Sequence, residues 1–395
     1  MFSQHTLFSR FGIVIQSISL FLVFATANAT VPLYPEWQHK IGFSHVGISV
    51  IFIAYHIGVI FALLTFRKAT QPQTIKKLLL VGLGSAMLAA IGFASANIIE
   101  WLVISRMFVG IASGIFASLG VAQILRIGNY LNVSYTPLLV TVATVLGFGV
   151  GPLYSGITAD LSTHHLLIIF GLFFGAMLIC SLLIVTASSD GVAASSATQP
   201  PAPVNLAKAL MVTGMFAGPF ALSGLFLSLG PSMISRLMDN DSRALAGTIP
   251  FLLFGFGVCV QFVLKKLSYR RMVIYSQLLS YAGAIVIIAA ESLHSLVLMM
   301  LSALLIGSGQ SLSQLAGLTM IKLWRPLGTL EKSSGFLFFG GYAVAACSIM
   351  MLGEVSAHFG LMSATIVFLL ICLSIMTIAF ARFIQDTARN SACSL

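Results

Sequence analysis

Charge is scarce in this chain. Asp, Glu, Lys and Arg make up 8% of its 395 residues, and the acidic ones number 10. A soluble domain carries roughly a quarter charged residues, so a water-facing fold is excluded. Hydrophobic residues reach 58% and the mean hydropathy is +1.03, which suits a bilayer as solvent. Cysteine is sparse too. Cys180, Cys259, Cys347, Cys372 and Cys393 form no CxxC pair, so their spacing offers neither a metal site nor a disulfide framework. The chain has no HExxH, no phosphate-cradling glycine loop and no plausible nucleophile triad. No enzyme activity, metal or cofactor is therefore expected, and ATP is not the internal energy source. A net charge of +10 does not point to nucleic acid, because the basic residues are not gathered on one polar segment. They punctuate apolar runs, as the positive-inside rule expects.

Apolar length is what the chain has in quantity. A spanning helix takes about 20 apolar residues. Twelve such segments are read, at roughly 11–34, 45–66, 78–97, 101–124, 136–158, 166–187, 208–235, 245–264, 272–290, 296–321, 333–355 and 361–383. The first also resembles a secretory signal, with Arg10, an apolar run and the small residues ATANA. The run continues through TVPLY, however, and is read as a helix. The longest connection, SSDGVAASSATQPPAPVNLA at 188–207, has the Ser, Ala and Pro content of a flexible linker. It separates a six-helix bundle at 1–187 from a second at 208–395 that ends in a short tail. Basic loops recur at matching places, RKATQPQTIKK after the second segment and KKLSYRR after the eighth, and Gly110 in FVGIASG parallels Gly307 in LIGSGQS. The expectation is an all-α membrane protein of twelve transmembrane helices in two pseudo-symmetric six-helix bundles, an arrangement that secondary transporters use.

The 20 Lys and Arg residues set the orientation. Loops on the side of the termini hold Arg10, Arg67, Lys68, Lys76, Lys77, Arg126, Lys208, Lys265, Lys266, Arg270, Arg271, Lys322, Arg325, Lys332, Arg382 and Arg389; the other side holds only Lys40, Arg236 and Arg243. Both termini are therefore expected in the cytoplasm of a multi-pass inner-membrane protein. Acidic residues lean outward, at Glu36, Glu100, Asp160, Asp239, Asp241, Glu291 and Glu354.

Arg106, inside the apolar stretch WLVISRMFVGIASGIF, is the one remaining cation. An arginine in hydrocarbon costs on the order of 3 kcal/mol at the bilayer centre. It either snorkels to headgroups or faces a central cavity, where such residues pair or line a pathway. Glu36 is the expected partner, with Glu100 and Glu354 as alternatives. His56 is a candidate proton relay or a buried ring with a satisfied hydrogen bond. Asn28, Tyr55, Tyr342 and the pair Gln310 and Gln314, four apart on one helix face, are candidate pathway residues or packing contacts. Gly110 with Gly114, Gly147 with Gly151, and Gly214 with Gly218 each sit four apart, where two backbones can approach. Pro152 removes a helix hydrogen bond, so the fifth segment is expected to make a bendable contact between the halves.

LVISRMFVGIASG resembles the helix-4 signature of the major facilitator superfamily, matched at Leu102, Arg106, Gly110 and Gly114, with Val109 where a glutamine is common. GFGVGPLYSG resembles its helix-5 antiporter signature, matched at Gly147, Gly151, Pro152 and Gly156, with Ser155 in place of one glycine. TVPLYPEWQHKIGFS and FIAYHIGVIFALL look like helices 1 and 2 of an efflux-type branch. The loop after helix 2 departs from the family pattern: Gln71 stands about where an aspartate belongs and Thr74 about where a glycine belongs, while Lys76 and Lys77 keep the basic character. In the family that aspartate helps lock the outward-facing closure. The resemblance implies that helices 1, 2, 4, 5, 7, 8, 10 and 11 face a cavity. It also implies a monomeric exporter of a small amphipathic or anionic compound (a drug-like molecule, metabolite or siderophore) in exchange for protons. Proton-linked uptake of a small organic acid, and a transporter-like sensor that moves no solute, stay open as alternatives.

Overall fold

The computed structural model of the chain describes residues 2–43, 45–66, 69, 71–186, 202–228 and 243–392. Every regular element among them is helical. A spanning helix satisfies all of its backbone polar groups internally, which a bilayer demands. The long helices are α1 Phe2–Asn28, α2 His45–Phe66, α3 Pro72–Ala94, α4 Ile99–Tyr130, α5 Thr136–Leu161 and α6 His165–Thr186. The second set is α7 Leu206–Ser228, α8 Arg243–Leu264, α9 Tyr269–Ser292, α10 Leu296–Trp324, α11 Leu330–Phe359 and α12 Leu361–Ala392. All twelve segments read from the sequence are therefore helices. Ten stretches of the described residues are long and apolar enough to cross a bilayer. Large apolar side chains such as Leu167, Val263, Ile285 and Val297 face outward, as a lipid-facing surface requires. The expected linker is described only at its end, and the end of the seventh segment, Arg67, Lys68, Arg236, Asp239, Asp241, Cys393 and the Glu354 side chain lie outside the described residues.

Two helices are less regular than their apolar runs suggest. α1 stops at Asn28, and the chain continues as a 3₁₀ turn, Val31–Leu33, and a short helix, Tyr34–Ile41. Pro32 and Pro35 have no N–H to donate, so an unbroken helix there would lose ladder bonds. Gly42, at φ 80°, ends the short helix and donates its N–H to the Gln38 carbonyl. α4 contains a π turn, Phe116–Gly120, where the Val121 N–H reaches back to the Phe116 carbonyl. The Ser118 carbonyl in this turn accepts from Ser334 Oγ of α11 at 3.0 Å. Such bulges concentrate at functional places in helices.

The halves pack alike. A Cβ on Gly110 or Gly58 would overlap backbone across the α2–α4 seam, and Gly114 meets the Val59 carbonyl and Ala62 there. Gly307 and Gly257 do the same across the α8–α10 seam, Gly307 against the Leu253 carbonyl. The Gly110–Gly307 parallel in the sequence thus corresponds to equivalent close approaches in the two bundles. Gly214 and Gly218 bring α7 against Ala379 and Met376 of α12. α5 does pack against the other half as expected, but not through Gly147 and Gly151. Gly147 and Gly151 pack against Phe21, Phe24 and Ala25 of α1, within one half. The inter-half contact of α5 is made instead by Gly149, against α8, and by Gly156 against Arg243 and Gly247 against Pro152.

Candidate functional site

The break in α1 creates the site around Arg106. A helix end leaves carbonyls without partners, and the Ala27 carbonyl accepts from Arg106 Nη1 at 2.7 Å. Tyr34, on the short helix that follows, accepts from Arg106 Nε through its hydroxyl. The guanidinium carbon lies 5.1 Å from the Tyr34 ring centre, 5.3 Å from Phe52 and 5.7 Å from Tyr55. Each such contact is worth about 0.5–2 kcal/mol. Arg106 is only 3% exposed, so it does not snorkel.

The expected pairing with Glu36 is not found. Glu36 lies beyond the kink and is held elsewhere: Oε2 faces His165 Nε2 at 2.8 Å and Arg243 Nη1 at 3.3 Å, and Oε1 faces Lys40 at 3.5 Å. Among the described residues no carboxylate comes within ion-pair distance of Arg106. Aromatic faces and neutral oxygens of the described residues hold the cation instead.

Arg106 lines a cavity of about 60 Å³ between the two halves. Its walls come from α1 and the turn after it (Asn28, Val31), α2 (Phe52, Tyr55, His56), α5 (Phe148), α7 (Phe220, Ser223), α8 (Phe254) and α11 (Tyr342). Tyr55 and Tyr342 hydroxyls meet across the halves at 3.1 Å. Phe148 packs edge-on or tilted against Phe220 and Phe254, joining α5 to α7 and α8. The His56 ring keeps one nitrogen on its own helix, Nδ1 to the Phe52 carbonyl at 2.9 Å. Asn28 Nδ2 likewise donates to the Phe24 carbonyl at 2.8 Å. The cavity thus gathers Arg106, His56, Asn28, Tyr55 and Tyr342. It does not include Gln310 and Gln314, which are fully buried in α10. Gln310 donates to Gln314, and Gln314 donates to Thr144 of α5 at 2.6 Å, a polar tie between halves on the side of the termini.

Further ties close that side. Arg126, near the end of α4, pairs with buried Glu331 at the start of α11. Lys322 Nζ donates to the Val133 carbonyl and to Thr136 at 2.8 and 3.0 Å. At the far end Arg243 reaches Glu36 and the Ala159 carbonyl, and the Ala244 N–H donates to Asp160 Oδ2 at 3.0 Å. Lys76, in the first turns of α3, donates within its own half to the Val185 carbonyl at 3.0 Å. Gln71 takes the N-cap position of α3 and makes no side-chain cap bond, a place where an aspartate oxygen would accept one.

Sequence reasoning missed Tyr34, His165 and the Arg126–Glu331 pair. A signal existed for the last. Glu331 lies on the side of the termini, as only Asp190 and Asp386 of the other acids do, and an acid set in a basic surface invites a search for a partner.

Comparison with known proteins places this geometry in a family. Human MFSD10 (TETRAN), an organic anion transporter, matches in structure with a TM-score of 0.72 at 15% identity, over 94% of this chain and 99% of that one. The proton:xylose symporter XylE, bound to 6-bromo-6-deoxy-D-glucose, matches with a TM-score of 0.69 at 12% identity, over 96% of each chain. No curated protein matches by sequence. The family model described as Major Facilitator Superfamily matches residues 17–290. The chain is accordingly a member of the Major Facilitator Superfamily of membrane transporters.

Proposed function

We propose that this transporter exports a small amphipathic organic anion across the inner membrane in exchange for protons. One observation carries the choice of cargo: a buried guanidinium with no carboxylate partner among the described residues faces a cavity walled by Phe52, Phe148, Phe220 and Phe254. A buried cation without a counter-charge is costly, and a bound anion supplies one. Arg106 keeps donor capacity for it, since the hydrogen bonds found engage only Nε and Nη1. The aromatic walls suit an apolar body attached to the anionic group. MFSD10 is an organic anion transporter of the same fold, so the architecture accommodates such cargo.

Alternating access follows from the ties at the two ends. The side of the termini, cytoplasmic by its Lys and Arg content, is held by Arg126–Glu331, Lys322 and Gln314. The outer end is held by Arg243. Opening one set while the other stays closed exposes Arg106 to one side at a time. The helix-5 signature at Gly147, Gly151, Pro152 and Gly156 favours antiport. The division into bundles at 1–187 and 208–395, joined by the linker, supplies the two bodies that move.

The test is flux in proteoliposomes loaded with an amphipathic aromatic monocarboxylate. An imposed proton gradient should drive the carboxylate toward the acidic side. Movement toward the alkaline side together with protons would replace export with uptake.

A further inference from the structure

Outside the cavity, the far end of the molecule surrounds the Arg243 tie with further ionisable groups. Glu36 of the short helix after α1 meets His165 at the start of α6 and Arg243 at the start of α8. Glu36 and His165 belong to one half and Arg243 to the other. His165 is buried, at 7% exposure, and its two ring nitrogens both face oxygen acceptors. Nδ1 lies 2.9 Å from the Ser162 carbonyl and Nε2 lies 2.8 Å from Glu36 Oε2. A neutral imidazole carries one N–H. With that hydrogen on Nδ1 toward the carbonyl, the Nε2 lone pair points at a carboxylate oxygen. The short contact is satisfied when a proton lies between them, on the ring or on the carboxyl. The same oxygen, Oε2, is the one Arg243 reaches at 3.3 Å.

From this geometry we infer that the Glu36–His165 pair is a proton-binding site that controls the outer closure, because the bound proton and Arg243 compete for one carboxylate oxygen. Proton binding places positive charge on His165 or neutralises Glu36. Either change weakens the ion pair that ties α8 to the other half. Proton loss restores the full carboxylate charge to Arg243 and draws the outer end shut. Among the described residues, the other charged groups facing this cluster are Lys40, 3.5 Å from Oε1 on the same short helix, and Asp160 at the end of α5, whose Oδ2 holds the Ala244 N–H. The site's use in transport rests on the proton-exchange reading above; the site itself does not.

The experiment needs no substrate. Spin labels are placed at Leu161→Cys and Leu293→Cys, both exposed and on opposite halves at the outer end, with the native cysteines replaced by serine. Distances are recorded in nanodiscs between about pH 5.5 and 8. Wild type should shift toward the longer, open distance as pH falls, with the open-to-closed ratio rising by up to about tenfold per pH unit, the limit for one linked proton. Glu36→Gln should favour the open distance at every pH. His165→Gln should hold the closed distance and lose the pH response. His164→Gln, at the exposed neighbour, should behave as wild type. A pH-independent wild-type profile, or an unchanged pH response in both Glu36→Gln and His165→Gln, overturns the proposal. A pH-dependent latch in a protein without proton-linked flux would uphold the site and remove only the antiport reading.

Discussion

Arg106 shows how a single side chain was half legible. A cation amid WLVISRMFVG is too costly to be idle, and that much can be read from the string. Its partner cannot. Glu36, at the outer end of the first apolar run, is the expected partner, but the prolines turn the chain after Asn28 and place Tyr34 under the guanidinium, while Glu36 swings to His165, 129 residues away. Glu36 also meets Arg243, from the other half, which no local pattern announces. The chemistry of the Arg106 site yields a graded expectation. Arg106→Ala should insert and purify as wild type does, because it removes a costly buried charge, yet flux should fall by roughly 10- to 150-fold, the value of one charge-assisted hydrogen bond of about 1.5–3 kcal/mol. Arg106→Lys should recover part of it, since an ammonium supplies charge without the planar fork that holds Tyr34, Ala27 and a carboxylate together. The measurement is initial flux in proteoliposomes at equal protein content. Equal rates in all three proteins would return Arg106 to a packing role.

Helices were the most legible element, since apolar length alone locates them. Their irregularities were less so. The π turn of α4 answers to a hydrogen bond from Ser334, 216 residues on, and the partners of a glycine pair depend on which helix lies opposite. GFGVGP has two partners: Gly149 and Pro152 meet α8 of the other half, while Gly147 and Gly151 join α5 to α1. This relocates the effect of a substitution without removing it. A leucine at Gly151 must push Ala25 aside, and that shift tilts α1 directly below the break that supplies the Ala27 carbonyl. Gly151→Leu protein should reach the membrane and elute as a single species while losing nearly all flux. The check is flux normalised to purified, monodisperse protein. Wild-type flux would mean that α1 can move without disturbing the Arg106 site.

For the whole molecule, twelve helices, the near symmetry of the halves and the family were readable from hydropathy, paired glycines and two signatures. The cavity was not, because it is assembled from seven helices whose aromatic residues look like ordinary core in isolation. Phe148, Phe220 and Phe254 meet only when α5, α7 and α8 pack. The ties at both ends are also properties of the assembled halves, and they leave Arg106 enclosed between them with no carboxylate partner among the described residues. The central claim is that this enclosed cation selects an anionic, amphipathic cargo. Its most direct test is equilibrium binding of an aromatic monocarboxylate and of its neutral primary amide to the purified transporter in nanodiscs, side by side with Arg106→Ala. The account predicts that the wild type prefers the carboxylate by at least about tenfold, one charge-assisted hydrogen bond's worth, and that Arg106→Ala binds the two alike. Equal binding of acid and amide by the wild type, or a carboxylate preference that survives in Arg106→Ala, would contradict it.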